Sequence, residues 1–522
     1  MTQQRFNILW ADDEIDLLKP HLLFLDKKGY DVTTANNGRD ALDLVKERHF
    51  DLIILDENMP GLTGLETLQH IKLTSPHIPV IMITKSEEEN IMNQAVGNKI
   101  ADYLIKPVNP NQILIALKKH LHSSDLVAQQ TTTDYRRDFL ALTDAINSAS
   151  SLDDWKELYS RLVHWEMELT GTEMDQLLDM QLNEANAAFN KYVTRHYESW
   201  ASTLAANNTD ESLPLMSPRV FPQRVFPLLD NGDKVLFVII DNFRLDQWRV
   251  VKPLLADTFT FEEELYTSIL PTATQYARNA IFSGLMPDSI ERMFPDLWVD
   301  EDSEEGKNLN EAPLILSMFD RYRRQVKMSY HKINDSAGGE RLLRDFKQYA
   351  GDNLCVVVFN FIDMLSHART ESKMIRELAS SSAAYRSLTE SWFRHSSALE
   401  VFRRAAAAGF KIVLTTDHGS IRVTNPVKVV GDKNTNTNLR YKVGKNLGYN
   451  TRQVYEIKTP RRYGLPTPNV SSTYIFARGR DFLAYPNNYN YYVQYYTDTF
   501  QHGGISLQEM LIPLITLTAK HQ

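Results

Sequence analysis

Three strongly apolar runs in the C-terminal half of the chain each lead to an aspartate. "KVLFVIID" ends at Asp241, "LCVVVFNFID" at Asp363 and "KIVLTTD" at Asp417. Each run is typical of a buried parallel strand, and parallel strands bring their carboxyl ends to one edge of a sheet. Buried carboxylates gathered at one edge are costly unless cations or a metal ion lie between them. The pattern therefore predicts a metal site.

Histidines accompany these aspartates at spacings that suit metal binding. His367 follows Asp363 by four residues, which places both on one face of a helix, and His418 adjoins Asp417. His502 begins "HGGIS", where two glycines allow close backbone approach. Asp and His without cysteine favour a catalytic zinc or manganese pair over a structural zinc. The set of ligands is large enough for two ions, as in two-metal phosphoryl chemistry.

The stretch "LPTATQYARNAIFS" contains two candidate nucleophiles. Thr272 directly follows Pro271, and Thr274 lies two residues further on. A hydroxyl bound to a dication ionises near neutral pH for the same reason that bound water does. We favour Thr272 because it adjoins the proline, and Thr274 is the alternative.

A second group of carboxylates lies near the N-terminus. "FNILWADDE" contains Asp12 and Asp13, and "FDLIILDENMPG" contains Asp56. Strand-like runs alternate here with helical patterns, which indicates βαβ units and a parallel sheet whose strand ends converge. Thr84 and Lys106 follow neighbouring strands. Clustered carboxylates favour Mg²⁺, and Lys106 would steady a phosphoryl group accepted by one of them.

The composition excludes several classes of protein. The chain has 522 residues, a net charge of −9 and one cysteine, Cys355. This charge argues against general nucleic-acid or membrane binding, and a lone cysteine excludes an internal disulfide framework. We find neither a signal-peptide pattern nor an apolar run long enough to span a membrane. We therefore expect a cytoplasmic protein without membrane insertion.

The middle of the chain differs from both ends. Its apolar residues recur at helical spacing, which predicts a helical bundle that links two domains and is compatible with a coupling or dimerisation role. The stretch "LPLMSPRVFPQRVFP" then contains four prolines, which predict a linker or wrapping strap without regular helix. We expect an α/β multidomain chain with a doubly wound domain, a helical bundle linker and a second α/β domain over residues 1–122, 123–210 and 211–522.

The N-terminal motifs resemble those of a two-component receiver domain of the CheY type. By this resemblance Asp56 accepts the phosphoryl group, Thr84 and Tyr103 form the switch pair, and Lys106 contacts the phosphate. Mg²⁺ would be held by Asp12, Asp13 and Asp56. Lys85 departs from the small residue that is common after the threonine. The resemblance implies a sensor histidine kinase as partner and a homodimer on phosphorylation.

The C-terminal motifs resemble the alkaline phosphatase superfamily, and most closely its PglZ-domain branch. The resemblance implies a covalent nucleophile, Thr272, and two bound zinc ions, with manganese as the alternative. One ion would be held by Asp241, Thr272, Asp417 and His418. The other would be held by Asp363, His367 and His502. A decayed phosphatase fold that only binds its ligand is the alternative.

Together the three segments resemble the PorX family of Bacteroidetes response regulators, which implies a role in type IX secretion. Residues 422–462 are rich in Lys and Arg, and residues 485–496 read "YPNNYNYYVQYY". Because cations follow phosphate backbones and aromatic rings stack on bases, we favour a phosphodiesterase acting on short or cyclic oligonucleotides. A solvated basic loop beside a structural tyrosine segment explains both features equally well.

A different class of function remains open on the sequence alone. The chain could be a regulatory scaffold with a structural metal site, whose output is binding to a sigma factor or a secretion-system component. Direct binding to duplex DNA ranks third, because no helix-turn-helix pattern is apparent in the linker.

Overall fold

The computed structural model describes residues 5–85, 100–121, 123–206, 212–299, 308–371, 375, 377, 379, 381–431, 435–469, 471–486 and 489–520. The chain forms two compact units, Met1–Asp134 and Tyr135–Gln522. The division into three domains at residues 122 and 210 stays a prediction.

The first unit contains a five-stranded parallel sheet with strand order β2-β1-β3-β4-β5. The strands are β1 (Phe6–Ala11), β2 (Tyr30–Ala35), β3 (Leu52–Asp56), β4 (Val80–Thr84) and β5 (Asp102–Ile105). The helices are a 3₁₀ turn at Ile15–Leu18, α1 (Lys19–Lys27), α2 (Gly38–Glu47), α3 (Gly64–Thr74) and α4 (Pro110–Leu121). Helix α5 (Ser123–Ser148) contains the boundary between the two units.

Alternate residues of the central strands enter two separate cores. Leu9 and Ile53 belong to one hydrophobic cluster, whereas Ile8 and Ile54 belong to the other. Successive side chains of a strand point to opposite faces, so a strand covered on both faces is apolar throughout. This arrangement confirms the doubly wound fold.

The second unit begins with long helices. These helices are α6 (Leu152–Glu168) and α7 (Asp175–Ala205). One apolar face of α6 is buried, with Trp155, Leu158, Leu162 and Trp165 all in the core. The Trp155 ring packs edge-on against Phe189 of α7, with ring centroids 5.5 Å apart. The helical pattern of the middle segment is thus confirmed.

The proline-rich segment is helical, in contrast to our prediction. It forms a 3₁₀ turn, a π-helical turn and a short helix α8, at Ser217–Arg219, Phe221–Val225 and Phe226–Asp230. Each proline of these turns lies in a first turn, where its missing N–H has no intrahelical partner to lose. Phe221 and Val225 are fully buried, so the segment belongs to the core rather than forming a surface strap.

A six-stranded sheet with order β7-β18-β10-β6-β9-β8 forms the centre of the second unit. Its strands are β6 (Lys234–Ile240), β7 (Phe259–Thr267), β8 (Met328–Ile333), β9 (Leu354–Phe359), β10 (Phe410–Thr415) and β18 (Leu511–Ala519). Strands β10, β6, β9 and β8 are parallel, and β18 is antiparallel to β10 and β7. The three apolar runs that lead to aspartates are therefore adjacent parallel strands, as predicted.

Helices pack around this sheet and three small sheets follow it. The helices are α9 (Leu245–Val251), α10 (Thr274–Ser283), α11 (Pro287–Met293), α12 (Glu311–Arg321), α13 (Ser336–Tyr349), α14 (Phe361–Glu371), α15 (Ser382–His395), α16 (Ser397–Ala407), α17 (Tyr489–Tyr496) and α18 (Leu507–Met510), with 3₁₀ turns at Lys252–Leu254, Pro295–Leu297 and Pro460–Tyr463. The small sheets pair β11 (Ile421–Arg422) with β17 (Phe500–Gln501), β12 (Asn425–Lys428) with β16 (Asp481–Ala484), and β15 (Thr473–Ala477) with both β13 (Tyr441–Gly444) and β14 (Val454–Ile457).

None of the helices in the described ranges combines the length and the apolar character that crossing a bilayer requires.

The packing of α7 predicts the effect of truncating Phe189. Phe189→Ala removes a fully buried ring that contacts Trp155, so we expect the free energy of unfolding to fall by about 3–5 kcal/mol. Met180→Ala is the matched control on the same helix, because Met180 is 68% exposed, and we expect a change within about 0.5 kcal/mol. Urea unfolding followed by circular dichroism measures both, and equal effects would contradict the helix packing.

Candidate active site

The carboxyl ends of β6, β9 and β10 deliver the predicted aspartates to one place. Asp241 directly follows β6, and Asp417 follows β10 by two residues. Asp363 lies in the first turn of α14 after β9. Two groups of potential metal ligands result, and within each group the ligand atoms lie within 4.8 Å of one another. The groups are Asp241, Asp417 and His418, and Asp363, His367 and His502.

The two groups are adjacent. The imidazole rings of His418 and His502 stack with centroids 4.1 Å apart and an interplanar angle of 15°. His502 Nε2 lies 3.7 Å from Asp363 Oδ1, and His418 Nε2 lies 3.8 Å from Asp241 Oδ1. The structure therefore brings together the aspartates and histidines that the sequence divided between two ions, in the same two sets.

Backbone contacts orient both stacked imidazoles. His418 Nδ1 lies 3.1 Å from the carbonyl oxygen of Gly419, and His502 Nδ1 lies 3.2 Å from the carbonyl oxygen of Thr272. A carbonyl oxygen can only accept, so both Nδ1 atoms carry a proton, and in the neutral ring the Nε2 atom is the one with a lone pair. This tautomer, set by the partner of the other nitrogen, is the one that a metal-binding histidine requires.

Charges are strongly perturbed in the second group, which consists of Asp363, His367 and His502. Burial, helped by the nearby His418, lowers the pKa of His502 to about 3, so this imidazole is neutral at physiological pH. Burial also works to raise the pKa of Asp363. The hydrogen bond from His367 and the neighbouring imidazoles outweigh it and hold this pKa below its usual range. The group thus offers a carboxylate and a neutral imidazole lone pair.

Arg278 of α10 compensates the two carboxylates of the first group, Asp241 and Asp417. Its guanidinium is buried and forms ion pairs with Asp241, with Asp417 at 3.0 Å and with Glu311 at 3.1 Å. Burial raises the pKa of Asp241 well above its usual range, and Arg278 opposes this shift. Asp241 Oδ1 is nevertheless buried without a hydrogen-bond partner among the described residues. The first group therefore retains an acceptor oxygen that is available to a cation.

The two candidate threonines occupy different positions. Thr272 Oγ1 donates to the carbonyl oxygen of Gly504 at 2.9 Å and accepts from the N–H of Gly503 at 3.1 Å. Thr274 begins α10, and its Oγ1 lies 3.0 Å from His418 Nε2. The hydroxyl that contacts the ligand groups is therefore that of Thr274, which we had ranked second. The role of Thr272 as nucleophile and ligand stays a prediction, and its contacts are those of a residue that positions the loop after His502.

A buried ion pair between Arg440 and Glu509 holds the loop after His502. Arg440 donates to both carboxylate oxygens of Glu509, at 3.0 and 2.6 Å, and Gly504 N–H donates to Glu509 Oε1 at 2.9 Å. Arg440 and Lys442 of the basic segment are buried, so part of that segment is structural rather than a solvated loop. Residues 432–434 of the segment lie outside the described residues.

Gly419 allows α18 to approach the metal-ligand loop. A Cβ atom at this position would lie 2.0 Å from the carbonyl oxygen of Gln508, so any other residue would push the two segments apart.

The tyrosine-rich segment forms α17 and has two faces. Tyr489, Val493 and Tyr496 pack against a small hydrophobic cluster, whereas Tyr491 is 62% exposed and Tyr492 39% exposed. The segment is therefore partly structural, and its outer face presents aromatic rings.

In the first unit the predicted acidic pocket is assembled at the carboxyl ends of β1 and β3. Ligand oxygens of Asp12, Asp13 and Asp56 lie within 4.8 Å of one another. Lys106 Nζ lies 2.9 Å from Asp12 Oδ2 and 3.1 Å from Asp56 Oδ2. Burial raises the pKa of Asp56, and the hydrogen bond with Lys106 works against this shift. Asp56 Oδ1 is buried and, within the described part of the chain, has no hydrogen-bond partner.

The predicted switch residues also lie together. Thr84 is the fully buried last residue of β4, and its side chain hydrogen-bonds to the phenol of Tyr103 on β5. Lys85, the departure from the receiver pattern, points to Glu14 with a distance of 3.1 Å between Nζ and Oε2.

Both kinds of site fit the metals that the sequence predicts. In the second unit, the unpartnered Asp241 Oδ1, the other carboxylate oxygens and the imidazole nitrogens form an O/N donor set that suits zinc or manganese. In the first unit the donors are carboxylate oxygens alone, which suits Mg²⁺.

Sequence reasoning missed Arg278 and Glu311. A signal existed for Arg278, because it follows Thr274 by four residues in a helix and so shares its face. Glu311 begins a helix remote in sequence and has no local signal.

These two pockets define a class of protein, a response regulator that combines a receiver with a phosphatase-like effector. Three family models match successive parts of the chain: a response regulator receiver domain over residues 8–118, a PorX response regulator linker domain over 125–201 and a BREX system PglZ alkaline phosphatase-like domain over 220–517. The chain belongs to the PglZ alkaline phosphatase-like family, in the arrangement of a PorX-type response regulator. Its receiver domain implies phosphorylation by a sensor kinase.

Curated relatives match the N-terminal part of the chain. Transcriptional regulatory protein ZraR of Escherichia coli K12 is 37% identical over 24% of this chain and 29% of its own. The Bacillus subtilis alkaline phosphatase synthesis transcriptional regulatory protein PhoP is 30% identical over 33% of this chain and 70% of its own. The chain thus spans about 30% of the length of the first ZraR relatives it matches.

Among solved structures, chemotaxis protein CheY4 of Vibrio cholerae is 31% identical, with 23% of this chain and all of that chain covered and a TM-score of 0.22. The receiver fold is established by the strand order of the sheet and by the match to the family model.

Removing one ligand should lower the metal content. We expect the full chain reconstituted with zinc to lose about one equivalent in Asp363→Ala or His502→Ala, because each removes one of the donors that converge in the second group. Elemental analysis of the desalted protein measures this. His395→Ala, at an exposed histidine outside both groups, is the control. An unchanged zinc content in Asp363→Ala would contradict the assignment.

Proposed function

We propose that the PglZ-type part of the chain is a metal-dependent phosphodiesterase or phosphatase acting on short or cyclic oligonucleotides, and that phosphorylation of Asp56 by a sensor histidine kinase controls it. One observation carries the proposal. The Thr274 hydroxyl, at the start of α10, lies 3.0 Å from His418 Nε2 in the first of two adjacent ligand groups.

The two groups would hold two zinc ions, with manganese as the alternative. Asp241, Asp417 and His418 would hold one, and Asp363, His367 and His502 the other. When bound, such ions act as Lewis acids on the phosphoryl oxygens and make a nearby hydroxyl more acidic.

The protein's own residues supply the nucleophile, compensate charge and position the loop. Thr274 Oγ1 gives its proton to solvent and attacks phosphorus as the bond to the leaving oxygen breaks. The leaving oxygen takes a proton from water and departs as an alcohol, and a second water later hydrolyses the phosphothreonine and restores the hydroxyl. Arg278 lies four residues later on the same helix face. It pairs with Asp241 and Asp417 and opposes the rise that burial causes in the pKa of Asp241. Thr272 positions the loop after His502 through the backbone of Gly503 and Gly504.

The substrate class is proposed from the surface of the same unit. Tyr491 and Tyr492 are exposed on α17 and offer stacking faces to bases. Five cations in the described part of the basic segment are exposed and would follow a phosphate backbone: Lys428, Arg452, Lys458, Arg461 and Arg462. The buried Arg440 and Lys442 are excluded from this role.

The cellular role is proposed from the family alone. The PorX-type organisation supports a part in the control of type IX secretion, in a cytoplasmic protein. A scaffold that binds a sigma factor or a secretion component remains the competing function. The activity test described next distinguishes it from the enzyme.

Thr274→Ala should abolish turnover. We expect kcat/KM for bis-p-nitrophenyl phosphate, measured on the zinc-loaded full chain, to fall at least about 10³-fold, because the nucleophile is removed. Thr274→Ser retains a hydroxyl and should keep activity. Thr272→Ala loses only backbone hydrogen bonds, so we expect a fall of less than about 10-fold.

The pattern across these variants decides between the functions. A large loss in Thr272→Ala with little change in Thr274→Ala would restore Thr272 as the nucleophile. If neither this substrate nor a panel of linear and cyclic oligonucleotides is turned over by the unmodified chain, the scaffold is the correct function.

Phosphorylation should change the oligomeric state. Beryllofluoride with Mg²⁺ mimics the phosphoryl group on Asp56, and we expect light scattering to report a shift from monomer to homodimer. Asp56→Asn is the control and should stay monomeric. An unchanged mass for the unmodified chain would show that dimerisation is not the output of the receiver.

A further inference from the structure

A polar cleft lies between α7 and the turn that leads into β16, away from the metal-ligand groups. Its volume is about 590 Å³, which is within the usual range of small-ligand sites. Helix α7 contributes Asn190, Lys191 and Arg195 to its walls, and the turn contributes Arg478. Among the described residues that line it, none belongs to either metal-ligand group.

Positive charge exceeds negative charge in this cleft, because Asp481, which lies near Arg478, is the one carboxylate among the described lining residues. Lys191 and Arg195 are exposed, and the described residues offer them neither an ion pair nor a hydrogen bond. Arg478 Nε is buried and also lacks a hydrogen-bond partner among those residues. Arg480, by contrast, is paired with Asp179. Guanidinium groups and ammonium groups that converge in this way favour a phosphate.

The other groups that line the cleft favour the hydroxyl groups of a ligand over a nucleobase. Asn190 is 6% exposed, and its Oδ1 is buried without a partner within the described ranges, so it can accept a hydrogen bond from a ligand. Thr424, Asn425 and Asp481 add further polar atoms. Apart from Ala187 and Gly479, the described lining residues are polar or charged, which leaves no aromatic face on which a nucleobase could stack.

We propose that this cleft binds a sugar phosphate group, with Lys191, Arg195 and Arg478 on the phosphate and Asn190 among the groups that bind the sugar hydroxyls. Two sources share this chemistry. One is a free sugar phosphate, and the other is the backbone of an oligonucleotide strand.

The walls of the cleft are bonded to the segment that follows His502. Asn186, another lining residue, accepts a hydrogen bond from Leu507 N–H at 2.9 Å. Gly479 N–H donates to the carbonyl oxygen of Ile505 at 2.8 Å. A ligand here would therefore touch residues that are joined by hydrogen bonds to the loop carrying a metal ligand.

The test uses two probes and a charge-matched control, with the full chain in EDTA so that no strand is turned over. Calorimetry measures the affinity for ribose 5-phosphate, and fluorescence anisotropy measures the affinity for a short single-stranded oligonucleotide. Lys191→Ala/Arg195→Ala should weaken the affinity for at least one probe by about 10-fold or more, and added NaCl should weaken the affinity of the unmodified chain. Lys347→Ala/Arg403→Ala removes the same charge from exposed positions outside the cleft.

The outcomes separate the two sources. If the double variant loses affinity for ribose 5-phosphate, the ligand is a free sugar phosphate. If it loses affinity only for the oligonucleotide, the ligand is the backbone of a strand. If neither affinity changes in the double variant, or if the control double variant loses as much affinity, the cleft is not the site and the proposal is wrong. Because the measurement is of binding, its result does not depend on whether the metal groups hydrolyse phosphoesters.

Discussion

Negative charge buried at the carboxyl ends of β6 and β10 is the constraint on which the rest of the effector site depends. Asp241 and Asp417 are removed from water, where an uncompensated carboxylate is strongly unfavourable. Arg278 compensates both of them and Glu311 as well. Removing one partner of such a buried network typically costs about 3–5 kcal/mol, because the remaining charge stays buried. The network therefore anchors α10 against the edge of the sheet.

Anchoring α10 also determines which hydroxyl faces the site. Thr274 precedes Arg278 by one helical turn, so the helix that holds the guanidinium between the carboxylates also places this hydroxyl beside His418. Thr272 lies before the helix begins, and its hydroxyl forms hydrogen bonds with the backbone of Gly503 and Gly504. The same loop is held from the other side by Glu509 and Arg440. A buried part of the basic segment thus serves the geometry of the ligand groups.

The two units use the same physical arrangement for different purposes. Each has adjacent parallel strands with carboxylates at their carboxyl ends and a cation that partly neutralises them, Lys106 in the first unit and Arg278 in the second. In both, one aspartate oxygen stays unpartnered among the described residues, on Asp56 and on Asp241. Carboxylates alone favour a hard cation such as Mg²⁺, whereas the addition of imidazoles favours zinc or manganese.

The sequence by itself indicated the parallel strands and the carboxylates at their ends, and its resemblance to known families supplied the two proposed sets of metal ligands. Alternation and apolar runs are local properties, and the end of a parallel strand has a fixed place at the sheet edge. The tertiary structure decided the rest. The contact of Thr274 with His418, the contact of Glu311 with Arg278 and the burial of Arg440 all depend on segments remote in the chain. The prolines after residue 212 predict a break in helix, yet each helical turn there has a proline as its second residue. Spacing shows which residues share an element, but packing between elements decides which hydroxyl or charge meets its partner.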